Sequence, residues 1–163
     1  VPLGVGSAVA VRVGHAIGAR DDARAKAAIR AGYICGVGFM TLTGLTFLTL
    51  PRVLAHAFTS DARVIALASV LIPIAGVFQV FDGGQAVGAG VLRGAGDTTA
   101  PLITMLAAYW LVGVPVSAYL GFRTDLRAAG LWWGFVVSLA AVAVFLFLRI
   151  RVVFGREVRR VAV

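Results

Sequence analysis

Asp82 is the one charged residue inside the apolar stretch 64–92, and no other long apolar run of the chain holds a charge. It lies ten residues before Leu92. At helical rise that is about 15 Å from the end of the run, near the middle of a membrane-spanning segment. A carboxylate at that depth is costly and faces a cavity or a partner. Gln79 and Gln85 stand three residues to either side, each about 60° around a helix from Asp82. Ala75, Ala86 and Ala89 fall on the same face, so carboxylate, amides and small residues form a narrow stripe on an oily helix. Two readings stay open: a site that takes up a cation or proton, and an acid that only ties two helices together.

The remaining reactive residue types form no catalytic set. There is no glycine-rich phosphate loop with a lysine, no G-x-S-x-G turn and no spaced histidine cluster. His15 and His56 are single residues at helix ends and make no metal site, and the single Cys35 excludes a disulfide framework. One membrane acid cannot supply a paired-aspartate protease, so the chain reads as a non-enzyme without cofactor. Thr41, Thr43, Thr46 and Thr49 are expected to bond back to their own helix. Tyr109 and Trp110 lie mid-span and either pack in the core or stack on an apolar cation. Trp132 and Trp133, near a span start, read as interfacial belt residues.

The elements that must hold Asp82 follow from the apolar runs. Runs 31–50, 98–122 and 128–148 carry no charge, and with 64–92 they give four segments of 20 to 29 residues. A hydrocarbon core roughly 30 Å thick needs about 20 residues of helix, and its lack of water demands that every span be helical. The reading is all-α: four full transmembrane helices, packed antiparallel in sequence order, plus the end of a fifth. That fifth piece is 1–14, an apolar stretch of only eleven residues before Arg12, read as the last part of a helix that begins upstream. Gly32 with Gly36, Gly84 with Gly88 and Gly90 with Gly94 are small-xxx-small pairs suited to close helix packing. Pro73 and Pro115 should kink their spans, with Gly113 assisting the second, whereas Pro101 follows an Asp97 cap in a first turn.

Composition agrees. Of 163 residues, 60% are hydrophobic and 13% charged, with mean hydropathy +0.96. A soluble domain carries about twice that charge, and a disordered chain far less apolar residue. The net charge of +8 does not indicate nucleic-acid binding, because fourteen of fifteen cations are Arg in short patches between spans. Counted by alternate loops, eleven cations fall on one side and four on the other. The excess puts the 12–30 loop, the Arg93 loop and the tail 149–163 in the cytoplasm. Asp21 or Asp22 should cap a helix running through the Ala-rich start of the next span.

Three motifs carry a family resemblance: Phe78-Gln79-Val80-Phe81-Asp82, Gly90-Val91-Leu92-Arg93-Gly94-Ala95-Gly96-Asp97-Thr98, and Tyr109-Trp110-Leu111-Val112-Gly113-Val114-Pro115. With Pro2-Leu3-Gly4, Arg12-Val13-Gly14 and Gly18-Ala19, they resemble the multidrug and toxic compound extrusion (MATE) transporters, most closely the NorM-like branch. The resemblance implies a twelve-helix transporter of two six-helix lobes, with this chain the end of helix 8 and helices 9–12 of the C-terminal lobe. It implies a multi-pass inner-membrane protein with a cytoplasmic C-terminus, exchanging cationic or amphipathic compounds for Na⁺ or H⁺. Its partners would be the small-molecule substrate, the coupling cation, the lipid bilayer and the N-terminal lobe. Asp82 matches the family's C-lobe carboxylate for the coupling cation, and Phe78, Gln79, Gln85 and Tyr109 are the candidate cavity-lining residues. An aromatic hydroxyl often found four residues before that acid is absent here, where Phe78 stands. Two rivals remain: a lipid-linked oligosaccharide flippase of the same superfamily, which would carry more cations in its cavity, and a small membrane scaffold assembling through its glycine faces.

Overall fold

The structure, a computed structural model, describes residues 1–155; Arg156, Arg159 and Arg160 of the tail lie outside them. The described residues are helical with no strand. They form α1 (Pro2–Gly18), α2 (Asp22–Thr49), α3 (Pro51–His56), α4 (Ala62–Gly94), α5 (Thr99–Ala107), a π-helical segment (Ala108–Gly113), α6 (Val114–Phe122) and α7 (Ala128–Gly155). Helices α2, α4 and α7, and α5 to α6 taken together, are long and apolar enough to cross a membrane.

Side-chain caps set the starts. Asp21 accepts the Arg24 N–H at 2.9 Å and opens α2, and Asp61 accepts the Arg63 N–H at 2.8 Å and opens α4. Each satisfies an amide that the first turn leaves without a partner. Helix α4 stops where Gly96 takes φ +81°, a left-handed conformation that suits glycine, while the Asp97 N–H reaches back to the Leu92 carbonyl at 2.9 Å. Asp97 then caps the next helix by accepting the Ala100 N–H at 3.0 Å.

Two boundaries differ from the sequence reading. Helix α1 continues past 14 to Gly18, and α7 continues past 148 to Gly155. The α7 extension keeps its cations on a helix because they find partners there: Arg149 Nε meets Asp97 Oδ2 at 3.1 Å, and the Arg151 guanidinium lies 5.7 Å from the centre of the Phe147 ring.

The packing order also differs. Helix α4 is central and packs on α1, α2 and α7, whereas it scarcely touches α5, its successor in the chain. The α5–α6 span packs on α7 instead. The Asp97–Arg149 pair ties the start of α5 to the end of α7, and close glycines commit the faces of α4 to other helices. A Cβ at Gly44 would lie 2.6 Å from the Gly76 carbonyl oxygen, and one at Gly90 would lie 2.8 Å from the Gly6 carbonyl carbon. Such approaches are open only to residues without a side chain. Val13, Val87, Leu92, Val142 and Leu146 are fully buried where α1, α2, α4 and α7 meet.

Candidate functional site

The stripe on α4 divides among three neighbours. Gln79 is buried and turns to α2, where its Oε1 accepts a hydrogen bond from the Thr43 hydroxyl at 2.5 Å. The same hydroxyl lies 3.1 Å from the Met40 carbonyl, so its one proton is shared with its own helix. Thr41, Thr46 and Thr49 bond only backward, to Val37, Leu42 and Leu45. Phe78 turns to α7, its ring centre 6.0 Å from that of Trp132 at an interplanar angle of 34°. Trp132, read as an interfacial belt residue from its place near a span start, is half-buried and packs on this ring. The packing of α7 along α4 brings the indole beside Phe78.

Gln85 turns toward the π-helical segment. Its neighbour there is Tyr109, whose hydroxyl adjoins the Gln85 side chain and feels the charge of Asp82. No well-formed hydrogen bond uses the Gln85 oxygen: Oε1 is buried and has no partner among the described residues. Tyr109 is half-buried, while Trp110 beside it is 67% exposed, so the adjacent aromatics part to opposite sides of the span.

The π-helical register has a local cause. Pro115 has no N–H to give the Leu111 carbonyl, and its ring would crowd that carbonyl in a regular α-helix. The Val114 N–H instead bonds Tyr109 O, five residues back, which is the π spacing. Gly113 lets the wider turn press on α7, where an added Cβ would stand 2.9 Å from Ser138 Cβ. The helix irregularity that Gly113 and Pro115 signal in the sequence takes the form of a π turn, which they do not specify.

Asp82 stands between these three contacts, half-buried. Its carboxylate enters no hydrogen bond and no ion pair among the described residues. By helical register Gln79 is about 60° to one side of it, with Gln85 and Phe78 about 60° and 40° to the other. Asp82 therefore faces the interval between α2 on one hand and the π-helical segment with α7 on the other. Ala75 and Ala89, on the same face, are buried in packing. No group of three or more possible metal-binding side chains occurs among the described residues. A separate cleft of about 790 Å³, lined by Arg52, His56 and Ser60 among others, lies at the opposite end of α4 from Arg93 and does not include Asp82.

The family model described as MatE matches residues 1–119. The multidrug resistance protein NorM of Burkholderia vietnamiensis is 41% identical over 154 residues, covering 90% of this chain and 33% of that protein. The probable multidrug resistance protein NorM of Mesorhizobium japonicum is 44% identical, covering 91% and 33%. The chain thus spans about a third of the length of the curated relatives it matches. Among solved structures, the eukaryotic MATE transporter AtDTX14 superposes with a TM-score of 0.88 at 27% identity, covering 97% of this chain and 36% of that one. An inward-facing multidrug resistance MATE family transporter of the MOP superfamily shares the fold, with a TM-score of 0.84 at 18% identity over 96% of this chain and 36% of that one. By the extent of the family match and the agreement of its helices, this chain belongs to the MATE family of multi-pass membrane transporters.

Proposed function

We propose that this chain is the C-terminal-lobe portion of a cation-coupled multidrug antiporter that exchanges cationic or amphipathic compounds for Na⁺ or H⁺. The observation that carries the reading is Asp82: an acid deep in an apolar span whose carboxylate has no partner among the described residues. An acid serving as inter-helix glue would be bonded to a neighbouring helix. Gln79 shows what such glue looks like three residues away, bonded to Thr43.

Cation or proton uptake neutralises this carboxylate in a medium where the bare charge is costly. Occupancy then favours whichever arrangement of the lobe encloses Asp82 more fully, and release favours the other. A drug that binds one arrangement better than the other is exported as the ion enters, with one lobe moving against the other. The positive-inside count supports an inner-membrane protein with its C-terminal end in the cytoplasm. The Arg149–Asp97 pair supports the same assignment, since it joins two segments the count puts on one side.

The test uses the full-length transporter in vesicles with an imposed Na⁺ or H⁺ gradient. Asp82→Asn keeps size and hydrogen-bonding capacity but cannot change charge. It is expected to fold and bind drug yet lose gradient-driven efflux, while Asp82→Glu keeps part of it. Efflux by Asp82→Asn at the parent rate, with parent coupling, would refute the proposal.

A further inference from the structure

The two glutamines beside Asp82 look equivalent in the sequence, one three residues before and one three residues after. In the fold they are not. Gln79 Oε1 is occupied by the Thr43 hydroxyl, so that amide is committed to holding α2 against α4. Gln85 Oε1 is buried from solvent with no donor among the described residues. A buried amide oxygen without a donor is unfavourable, and in native proteins such a group calls for an explanation of its own. A water or ion bound in one stage of a working cycle is one such explanation.

Three further observations bear on what that oxygen is for. It belongs to the side of α4 nearer Tyr109, whose hydroxyl adjoins the Gln85 side chain and feels the Asp82 charge. Tyr109 is carried by the π-helical turn, a local distortion of the kind found often at functional sites. Phe78, on the same side, offers no oxygen and is packed on Trp132. The oxygen-bearing side chains on that side are thus Asp82, Gln85 and Tyr109. Hard cations take such oxygens as ligands, and a protonated carboxyl group donates to the same kind of amide oxygen.

We propose that Gln85 is the positioning residue of the Asp82 site: its Oε1 is the acceptor that the loaded carboxylate requires, ligating a bound Na⁺ or receiving the proton of a protonated Asp82. Tyr109 orients the Gln85 amide from the π-helical turn, and Gln79 has no part in ion binding. This rests on the reading of Asp82 as the coupling site. It adds an asymmetry between the glutamines that the reading of Asp82 alone does not require.

The experiment compares Gln85→Met, which keeps length and bulk but has no oxygen, with Gln79→Met in the full-length transporter. Drug efflux is recorded against Na⁺ at fixed pH and, separately, against pH without Na⁺, to obtain half-saturation for each ion and for the drug. Gln85→Met should weaken half-saturation by the coupling ion about tenfold, the size of a lost bond to a charged group. Drug half-saturation should stay within about twofold of the parent. The arm that shifts identifies the ion. Gln79→Met should lower thermal stability and leave ion half-saturation unchanged. Gln85→Glu keeps an oxygen and adds charge, so it should tighten ion half-saturation; this variant decides the matter if Gln85→Met does not fold. Ion half-saturation unchanged in Gln85→Met, or unchanged in Gln85→Glu, overturns the proposal. Asp82→Asn run alongside separates the two failures: if it abolishes coupling while the Gln85 variants shift nothing, only the role of Gln85 is lost.

Discussion

Two regions of the chain differ in how much of their surface is buried. In the first, α1, α2 and α4 meet backbone to backbone: Gly6 on Gly90, Ala10 on Gly94, Gly44 on Gly76. The atoms an added side chain would strike there belong to main chain, which cannot turn aside. In the second, α5, the π-helical segment and α6 lean on α7. Helix α6 has no buried residue, and Trp110, Leu111, Tyr119 and Phe122 are all more than 60% exposed. The contact with α7 is close at two glycines, where a Cβ at Gly130 or Gly134 would strike the Leu120 or Ser117 main chain, but at the π turn Gly113 faces the Ser138 side chain. The Asp82 stripe lies at the seam. Its Gln79 edge belongs to the first region, where Thr43 of α2 holds the amide, and its Gln85 edge belongs to the side nearer the π turn.

The largest effect is expected at Gly90. Gly90→Ala would drive a Cβ into the Gly6 backbone, and the expected loss is about 3 kcal/mol, at the upper end of overpacking costs. In the full-length protein this should appear as aggregation on size exclusion in detergent. A monodisperse Gly90→Ala protein of parent thermal stability would mean that the first region is not rigid.

Thr43→Val comes next. It keeps the shape but removes the donor to buried Gln79 Oε1, at a cost of about 1–3 kcal/mol. Thermal unfolding in detergent should show the loss, and Thr43→Ser should recover most of it. Equal stability of Val and Ser variants would remove Gln79 from the first region.

Gly113→Ala sharpens the contrast, because it is the same substitution as at Gly90 made in the second region. Its Cβ would meet the Ser138 side chain, at 2.9 Å from Cβ and 3.1 Å from Oγ. The expected cost is about 1 kcal/mol, at the low end of overpacking, because α7 and the π turn can separate slightly. A loss as large as that at Gly90 would show the two regions to be equally unyielding.

The smallest effects are expected at the Asp97–Arg149 pair, whose side chains are 20% and 46% exposed. Arg149→Ala should cost about 0–1 kcal/mol, the range for partly exposed ion pairs. Asp97→Ala should cost about 1 kcal/mol, since it also removes the cap on the Ala100 N–H. A double-mutant cycle on thermal stability separates the two parts. Arg149→Ala costing more than Asp97→Ala would contradict this division.

The helical spans, their approximate limits, the even number of crossings and the isolation of Asp82 are all legible in the residues alone. These follow from local rules: apolar length against bilayer thickness, the need to satisfy every backbone amide in hydrocarbon, and the cost of a charge at mid-depth. The glycine pairs were legible as packing faces, though not which helix each would meet. Only the tertiary structure decided that α4 passes over α5 to pack on α7, that Trp132 covers Phe78, and that Gln79 is engaged while Gln85 is not. Gln79 and Gln85 have the same side chain at mirror-related offsets from Asp82, so no local rule separates them. What separates them is a threonine 36 residues away on one side and a π turn on the other, and such pairings are set by how helices cross rather than by the residues of one helix.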